Sequence, residues 1–455
     1  MKRSSLILLF AVTSAFGQSE TSSLVNFAHL RHLTETIELN GVNVDIVHVY
    51  ADYPSYGWLD AGEEGIACVD DVARAAVVCL RSYELQQDIA SLARARSLLR
   101  FVLSMQAEDG QFYNFVRSDH SINRDGKTSF KSFGWWAGRG VWAMGLGYRV
   151  MKNVDRQFAA ELQRRIVRSL PHVDRLMDKY GRTKRISNLR VPEWLLYGSG
   201  ADATTELMLG LIEYYRGSRD ERVKALIRKL ADGLMIMQDG DASTFPYGVH
   251  RSWETMWHAW GNSQSQVLAY AGNVLHDKRM IASAEREARG FYSRLLIDGL
   301  LKEWNFAVPQ KKIEYEQIAY GIRPMAVGLL RLYDATGNRV YLTMAGLAAA
   351  WFFGNNVLDQ PMYDPTTGRC FDGITDSTHL NRNSGAESTI EALYTLLEVE
   401  QYSLARRYLT YKKVATMSTK EMISASFRDR GGDEVVLGLN LKTGKLFSRE
   451  ERGTR

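Results

Sequence analysis

The chain has 455 residues, 45% hydrophobic and 24% charged, which allows a large buried core and excludes a disordered or fibrous chain. Its formal charge of +5, or +3 without Lys2 and Arg3, comes with no basic stripe of interleaved aromatics, so nucleic acid is not an expected partner. Three cysteines without C-x-x-C spacing indicate neither a zinc site nor a disulfide framework.

The N-terminus, "MKRSSLILLFAVTSAFGQS", has a basic start, a short apolar core and a small-x-small site at Ala15-Phe16-Gly17. It predicts a signal peptide over 1–17 and hence a secreted or periplasmic protein. No Cys follows to carry a lipid, and no later run reaches the roughly 18 apolar residues of a membrane span. Residues 18–67 read as a short helix and a strand, "VNVDIVHVY".

From 68 to 411 the apolar residues recur with helical period. Helices are predicted at 68–84 and 88–106, 134–151 and 156–178, 200–216 and 220–238, 260–275 and 278–297, 317–336 and 340–354, and 386–398 and 400–411. Leading helices recur at a near-constant spacing, which marks a hairpin repeat. Trailing helices are amphipathic, as in "DERVKALIRKLADGLM", whereas leading ones, such as "WWAGRGVWAMGLG", are apolar nearly all round and must be buried on every side. Six inner helices ringed by six outer ones predict an all-α fold, an (α/α)6 toroid. Cys68 and Cys79 fall on one such helix, about 16 Å apart and too far to bridge. The segment 412–455 holds a predicted β-hairpin around "LNLKTGKLF".

Links within a pair are short and links between pairs long, and every long link ends where an inner helix begins. One face of the ring therefore collects the functional loops. It also collects the unusual polar runs: "CVDDVAR" (68–74), "FGWWAGRG" (133–140), "PEWLLYGSGADATTE" (192–206), "WHAWGNSQ" (257–264), "EYEQIAYGIRP" (314–324) and "NSGAEST" (383–389). Helix capping accounts for one or two carboxylates per start, but not for Trp, His, Asn, Gln and Arg there as well. The pattern predicts a carboxylate-lined, aromatic-walled cavity. Ten Trp and 22 Tyr suit a saccharide cleft, although core packing also uses such side chains.

Cleaving a glycosidic bond takes a general acid and a second carboxylate. Glu387, on the sixth inner helix, and Asp70 or Asp71, on the first, are the candidates, because first and sixth helices are neighbours in a ring. The competing structural readings are an S-x-x-E capping box from Ser384 to Glu387 and an i,i+4 ion pair between Asp70 and Arg74. Stacking platforms are expected at Trp58, Trp135, Trp136, Trp194 and Trp257. Polar contacts are expected from Arg139, Glu193, Asp202, His258, Asn262, Gln264, Arg323 and Asn383. Without a DDxxD run or a phosphate loop, no metal or other cofactor is expected.

The hairpin count together with "VDDVAR", "GRGVWAMG", "TGRCFDGI" and "NSGAESTIEALYTLLE" resembles the six-hairpin glycosidase superfamily. More narrowly, it resembles the toroidal domain that accompanies some bacterial glycosyltransferases, whose strings include DDNAR, GRALWALG, GGCYDGL and NQGAEST. The resemblance covers about residues 56–400 and implies the toroid and a carbohydrate ligand; it adds Asp372 of "CFDGI" to the expected contacts. A weaker likeness to inverting cellulase-type toroids, which place a base in a DAG-D motif, brings in Asp60 of "DAGEE", although Glu63 replaces the second aspartate.

The leading expectation is a glycoside hydrolase acting on an oligo- or polysaccharide, most simply an inverting one. Two rivals stand beside it. A uronate-sugar lyase or epimerase would use Tyr or His as base and Arg139 or Arg323 to neutralise the substrate carboxylate. A non-catalytic saccharide-binding protein would bind glycans and release nothing.

Overall fold

The computed structural model describes residues 23–451; the expected signal peptide lies outside the described residues. A short helix, α1 (Ala28–His32), and two β-hairpins (34–39 with 42–47, 50–52 with 57–59) precede the first long helix. The helices then follow in pairs: α2 (Val69–Gln86) with α3 (Ile89–Ser104), α4 (Trp135–Met151) with α5 (Arg156–Met177), and α6 (Ala201–Ser218) with α7 (Glu221–Ile236). The fourth inner helix, α8 (Gln264–Leu275), is followed by α9 (Lys278–Glu287), which runs through a π turn into α10 (Ser293–Ile297). The fifth pair is α11 (Ala319–Thr336) and α12 (Val340–Ala349), and the sixth α13 (Ala386–Val399) and the short α14 (Ser403–Arg407).

Each inner helix packs on the next, α2 on α4, α4 on α6, α6 on α8, α8 on α11 and α11 on α13, and α13 closes on α2. The (α/α)6 toroid expected from the repeat is present. The description all-α is too narrow: ladders of two to four residues tie the inter-pair loops together, as where Met256–His258 pairs with Glu303–Asn305. Such pieces are too short to show a period of two in the sequence. At the C-terminus, strands 412–418, 422–428, 434–440 and 446–451 form a four-stranded antiparallel meander, of which the expected hairpin is the second half.

Small residues let the inner helices touch. A Cβ on Gly145 would lie 2.2 Å from Gly210 O, and one on Gly210 would lie 2.3 Å from Val141 O, so α4 and α6 meet backbone to backbone. Caps set the direction of the ring. The outer helices α3, α5, α7 and α9 start at Asp88, Asp155, Asp220 and Asp277, whose carboxylates accept from backbone N–H groups in the first turn. None of the six inner helices has a side-chain cap from its own N-cap residue. The capping signals therefore lie at the far end from the polar runs.

Two charged belts cross the ring's axis, each touching all six inner helices. The lower runs from Glu398 to Arg81 (2.7 Å), Glu84 (2.8 Å) and Arg149 (2.9 Å), on to Glu213 and Tyr270, and through Arg331 back to Glu398 (2.7 Å). The upper belt is the floor of the site. Between them lie the rings of Trp142 and Tyr394, 5.8 Å apart.

Candidate active site

The upper belt begins at Arg74, whose Nη1 donates to Glu391 Oε1 at 2.8 Å. Glu391 Oε2 accepts from Arg323 Nε at 2.6 Å, and Arg323 Nη1 donates to Gln266 Oε1 at 2.8 Å. Ser263 Oγ donates to Glu206 Oε1 at 3.1 Å, and Glu206 Oε2 accepts from Arg139 Nη1 at 2.6 Å. Arg139 Nε stands 2.8 Å from Asp70 Oδ1, itself 3.5 Å from Arg74 Nε, which closes the circuit. Tyr320 accepts from Arg139, and its ring lies 5.2 Å from the Arg74 guanidinium. Buried charges survive only when paired in this way.

Accessibility separates the carboxylates. The side chains of Glu206, Glu391 and Asp71 are 0%, 2% and 6% exposed, whereas Glu387 keeps 43% and Asp70 24%. Glu387 Oε2 is only loosely held, 3.4 Å from Arg74 Nη1 and 3.3 Å from Nη2. Burial pushes its pKa up to about 7; Arg74 pulls the other way, while Asp71, Glu391 and Asp70 add to the rise. For Asp70, burial also favours the neutral form, but Arg74, Arg139 and the Trp135 Nε1–H bond at 3.1 Å outweigh it and hold the pKa below the usual value. One open carboxyl is thus poised to carry a proton and its neighbour to stay ionised, the division that acid–base catalysis uses.

The capping-box reading of Glu387 is overturned. The N-terminus of α13 is capped from outside, by Asp372 Oδ1, which accepts from Gly385 N (2.9 Å) and Ser388 Oγ (2.6 Å). Ser384 N donates instead to Ala51 O, and Glu387 contributes no cap. Asp372 thus serves as the cap of α13 through Oδ1. Asn383, expected at the substrate, accepts from Tyr53 N at 3.0 Å and pins the second N-terminal hairpin. That hairpin carries Tyr50, which is 48% exposed and feels the charges of Asp71, Glu387 and Asp372.

Other expectations need correcting too. Asp71 does not face the opening; it is buried and accepts from Arg74 Nη2 at 2.7 Å and from Cys68 Sγ at 3.3 Å. Asp60 is exposed in the turn ahead of α2 and makes none of the belt's contacts. Arg139 and Arg323 are fully buried and paired with Glu206 and Glu391, which removes them as partners for a substrate carboxylate. Trp136, Trp194 and Trp257 are 8%, 1% and 1% exposed and belong to the core; the indole N–H groups of Trp136 and Trp194 donate to Phe112 O and Lys229 O. Trp58 is exposed but stacks on His48 at 3.9 Å. It pairs with Ala51, so the alternation of side chains puts it on the opposite face from Tyr50. Glu193 lines a separate cavity of about 350 Å³ with Phe133, His172 and Arg175.

Trp135 does belong to the site, and so does the 257–264 loop. His258 Nε2 lies 3.0 Å from Asp202 Oδ2, and its ring stacks on Trp260 at 4.2 Å. A Cβ on Gly261 would lie 2.8 Å from the Trp135 ring, 3.1 Å from Asp202 and 3.4 Å from His258, so only glycine lets this loop close on them. Trp257 Nε1, His258 Nδ1, Asn262 Nδ2 and both polar side-chain atoms of Gln264 are buried without a hydrogen-bond partner among the described residues. Groups sealed in this way call for ordered water. Tyr197, 62% exposed, accepts from Trp135 N at 2.9 Å and holds it from the rim.

A cavity of about 610 Å³ lies away from this chemistry, between Arg294 and Trp351 of the outer layer, Trp304 of an inter-pair strand and Lys412 of the C-terminal sheet. No belt carboxylate lines it. Among the described residues no group of three or more His, Cys, Asp and Glu is arranged to hold a metal, and no helix is long and apolar enough to cross a membrane.

Comparison with protein-family profiles gives no match, and no curated protein matches. Solved structures do. They include cellobiose 2-epimerase from Bacillus thermoamylovorans B4167, at 14% identity and TM-score 0.57, over 78% of this chain and 92% of that one. A sugar epimerase from a ruminal bacterium matches at 12% and 0.58, over 84% and 97%. A D-mannose isomerase matches at 11% and 0.54, over 77% and 91%. At these identities the likeness is one of fold, and it bears out the resemblance to the six-hairpin toroids seen in the sequence motifs.

Proposed function

We propose that this is a carbohydrate-active enzyme that cleaves glycosidic bonds, with Glu387 as general acid and Asp70 as general base. The observation that carries the reading is the pair itself, the two most accessible carboxyls of the upper belt, one favouring its protonated form and the other ionised. Both contact Arg74, so their nearest oxygens lie no more than roughly 9 Å apart, a limit that admits the spacing of retaining as well as inverting hydrolases. Protonated Glu387 gives its proton to the glycosidic oxygen as the bond to the anomeric carbon breaks. Asp70 takes a proton from the water that attacks the same carbon. Trp135 offers a ring face beside Asp70.

A second reading has its own support. His258, with Asp202 on one nitrogen and no partner on the other among the described residues, suits proton transfer at a carbon beside a carbonyl, as in sugar epimerisation. The buried state of Arg139 and Arg323 argues against the uronate lyase. Incubation of oligosaccharides in H2¹⁸O and, separately, in D2O distinguishes the two. Hydrolysis creates new reducing ends that carry ¹⁸O. Epimerisation creates none and places deuterium on carbon, which would refute the hydrolase reading.

A further inference from the structure

Arg74 has five N–H donors in a fixed fork, and four carboxylates crowd it. The two short bonds go to buried groups: Nη2 to Asp71 at 2.7 Å and Nη1 to Glu391 at 2.8 Å. Nε is turned toward Asp70, donating to its backbone oxygen at 3.2 Å. Glu387, the accessible one, receives only the shared contacts at 3.3 and 3.4 Å from donors already engaged. The guanidinium cannot swing toward it, because its side chain is 3% exposed and rests on the Tyr320 ring.

We propose that Asp71 and Glu391 are positioning residues that withhold Arg74 from Glu387 and so keep Glu387 in its proton-bearing form. The proposal rests on the acid role given to Glu387 above. Glu387 is faced from α2 by Asp70, Asp71 and Arg74, from its own helix by Glu391, and from the N-terminal hairpin by Tyr50. Only Arg74 among these is a cation, so how its charge is divided decides the protonation of Glu387. The two competitors differ in security. Glu391 has a second cation, Arg323, at 2.6 Å, whereas Asp71 has besides Arg74 only the weak Cys68 thiol donor at 3.3 Å. Asp71 is therefore the stronger competitor for Arg74. Asp71→Asn removes that negative charge, so one fewer buried carboxylate shares the Arg74 cation with Glu387.

The test is a carboxyl titration by ¹³C NMR of glutamate-labelled protein, with the Glu387 signal identified by its loss in Glu387→Gln. The wild-type midpoint is expected near 7. Asp71→Asn is expected to lower it by about one pH unit or more, and Glu391→Gln to move it the same way. Cys68→Ala, which keeps the Asp71 charge, is expected to leave it within a few tenths of a unit. Should Asp71→Asn not fold, the titration of Glu391→Gln decides between the outcomes. A wild-type midpoint near 7 that neither variant lowers overturns the positioning role and leaves the acid reading intact. A wild-type midpoint near the ordinary glutamate value overturns the acid reading itself.

Discussion

Replacing Glu387 by Gln separates a catalytic carboxyl from a structural one without any substrate. In the folded protein its pKa stands at about 7 against 4.5 for a free glutamate, so the native state binds this proton more tightly than the unfolded chain. Such a group costs stability as pH rises through the interval from 4.5 to 7, and the cost stays in place above it. Taken whole, the shift would be worth roughly 3 kcal/mol at pH 8.5. With 43% of the side chain exposed, solvent screening cuts this, and about 1 kcal/mol is the figure to expect. Urea denaturation at pH 5 and pH 8.5 reads it directly. Glu387→Gln should match wild type within a few tenths of a kcal/mol at pH 5 and exceed it by about 1 kcal/mol at pH 8.5. A variant weaker than wild type by the same amount at both pH values would mean that the glutamate holds the fold and that its surroundings do not favour the protonated form.

Arg139→Met should cost about 3–5 kcal/mol by leaving the buried Glu206 without its 2.6 Å partner and Asp70 with Arg74 alone; a melting temperature within a degree or two of wild type would refute the belt. Gly210→Ala should lose about 1–3 kcal/mol, because its Cβ would meet Val141 O at 2.3 Å; a neutral result in thermal melting would deny the backbone contact of α4 and α6. Trp135→Phe removes the indole donor to Asp70 and should cut kcat about tenfold, the rate equivalent of roughly 1.4 kcal/mol. Trp257→Phe should lower the melting temperature and leave glycan affinity unchanged; the reverse pattern would restore Trp257 as a platform.

The ring was legible because its signals are long. Eighteen-residue helices such as α2 and α6 show their period plainly, and the contrast between apolar leading and amphipathic trailing helices separates inner from outer. The site was only half legible. Asp70 and Glu387 stand out because they open apolar helices, and Glu391 could have been found as a carboxylate four residues on, on the same face of a buried helix. Nothing in the spacing showed that Asp71, beside Asp70, turns inward to Arg74, since adjacent helical residues point about 100° apart and the axis was not yet placed. Tryptophan content misled most. An indole at or before the mouth of an inner helix can face the opening, as Trp135 does, or drop into the core, as Trp194 and Trp257 do, and composition does not choose between them. Tyr50 and Tyr197 were missed because one reaches the site from the N-terminal hairpin and the other from a loop, and only the folded chain reveals either path.

The measurement that tests the central claim most directly is product release from a broad oligosaccharide panel, read by mass spectrometry. Wild type would be compared with Glu387→Gln and Asp70→Asn, both shown to be folded. The account predicts that wild type shortens at least one glycan and that either substitution slows this by about a hundredfold or more. Cleavage that survives both substitutions, or a wild type that binds glycans and shortens none, would contradict it.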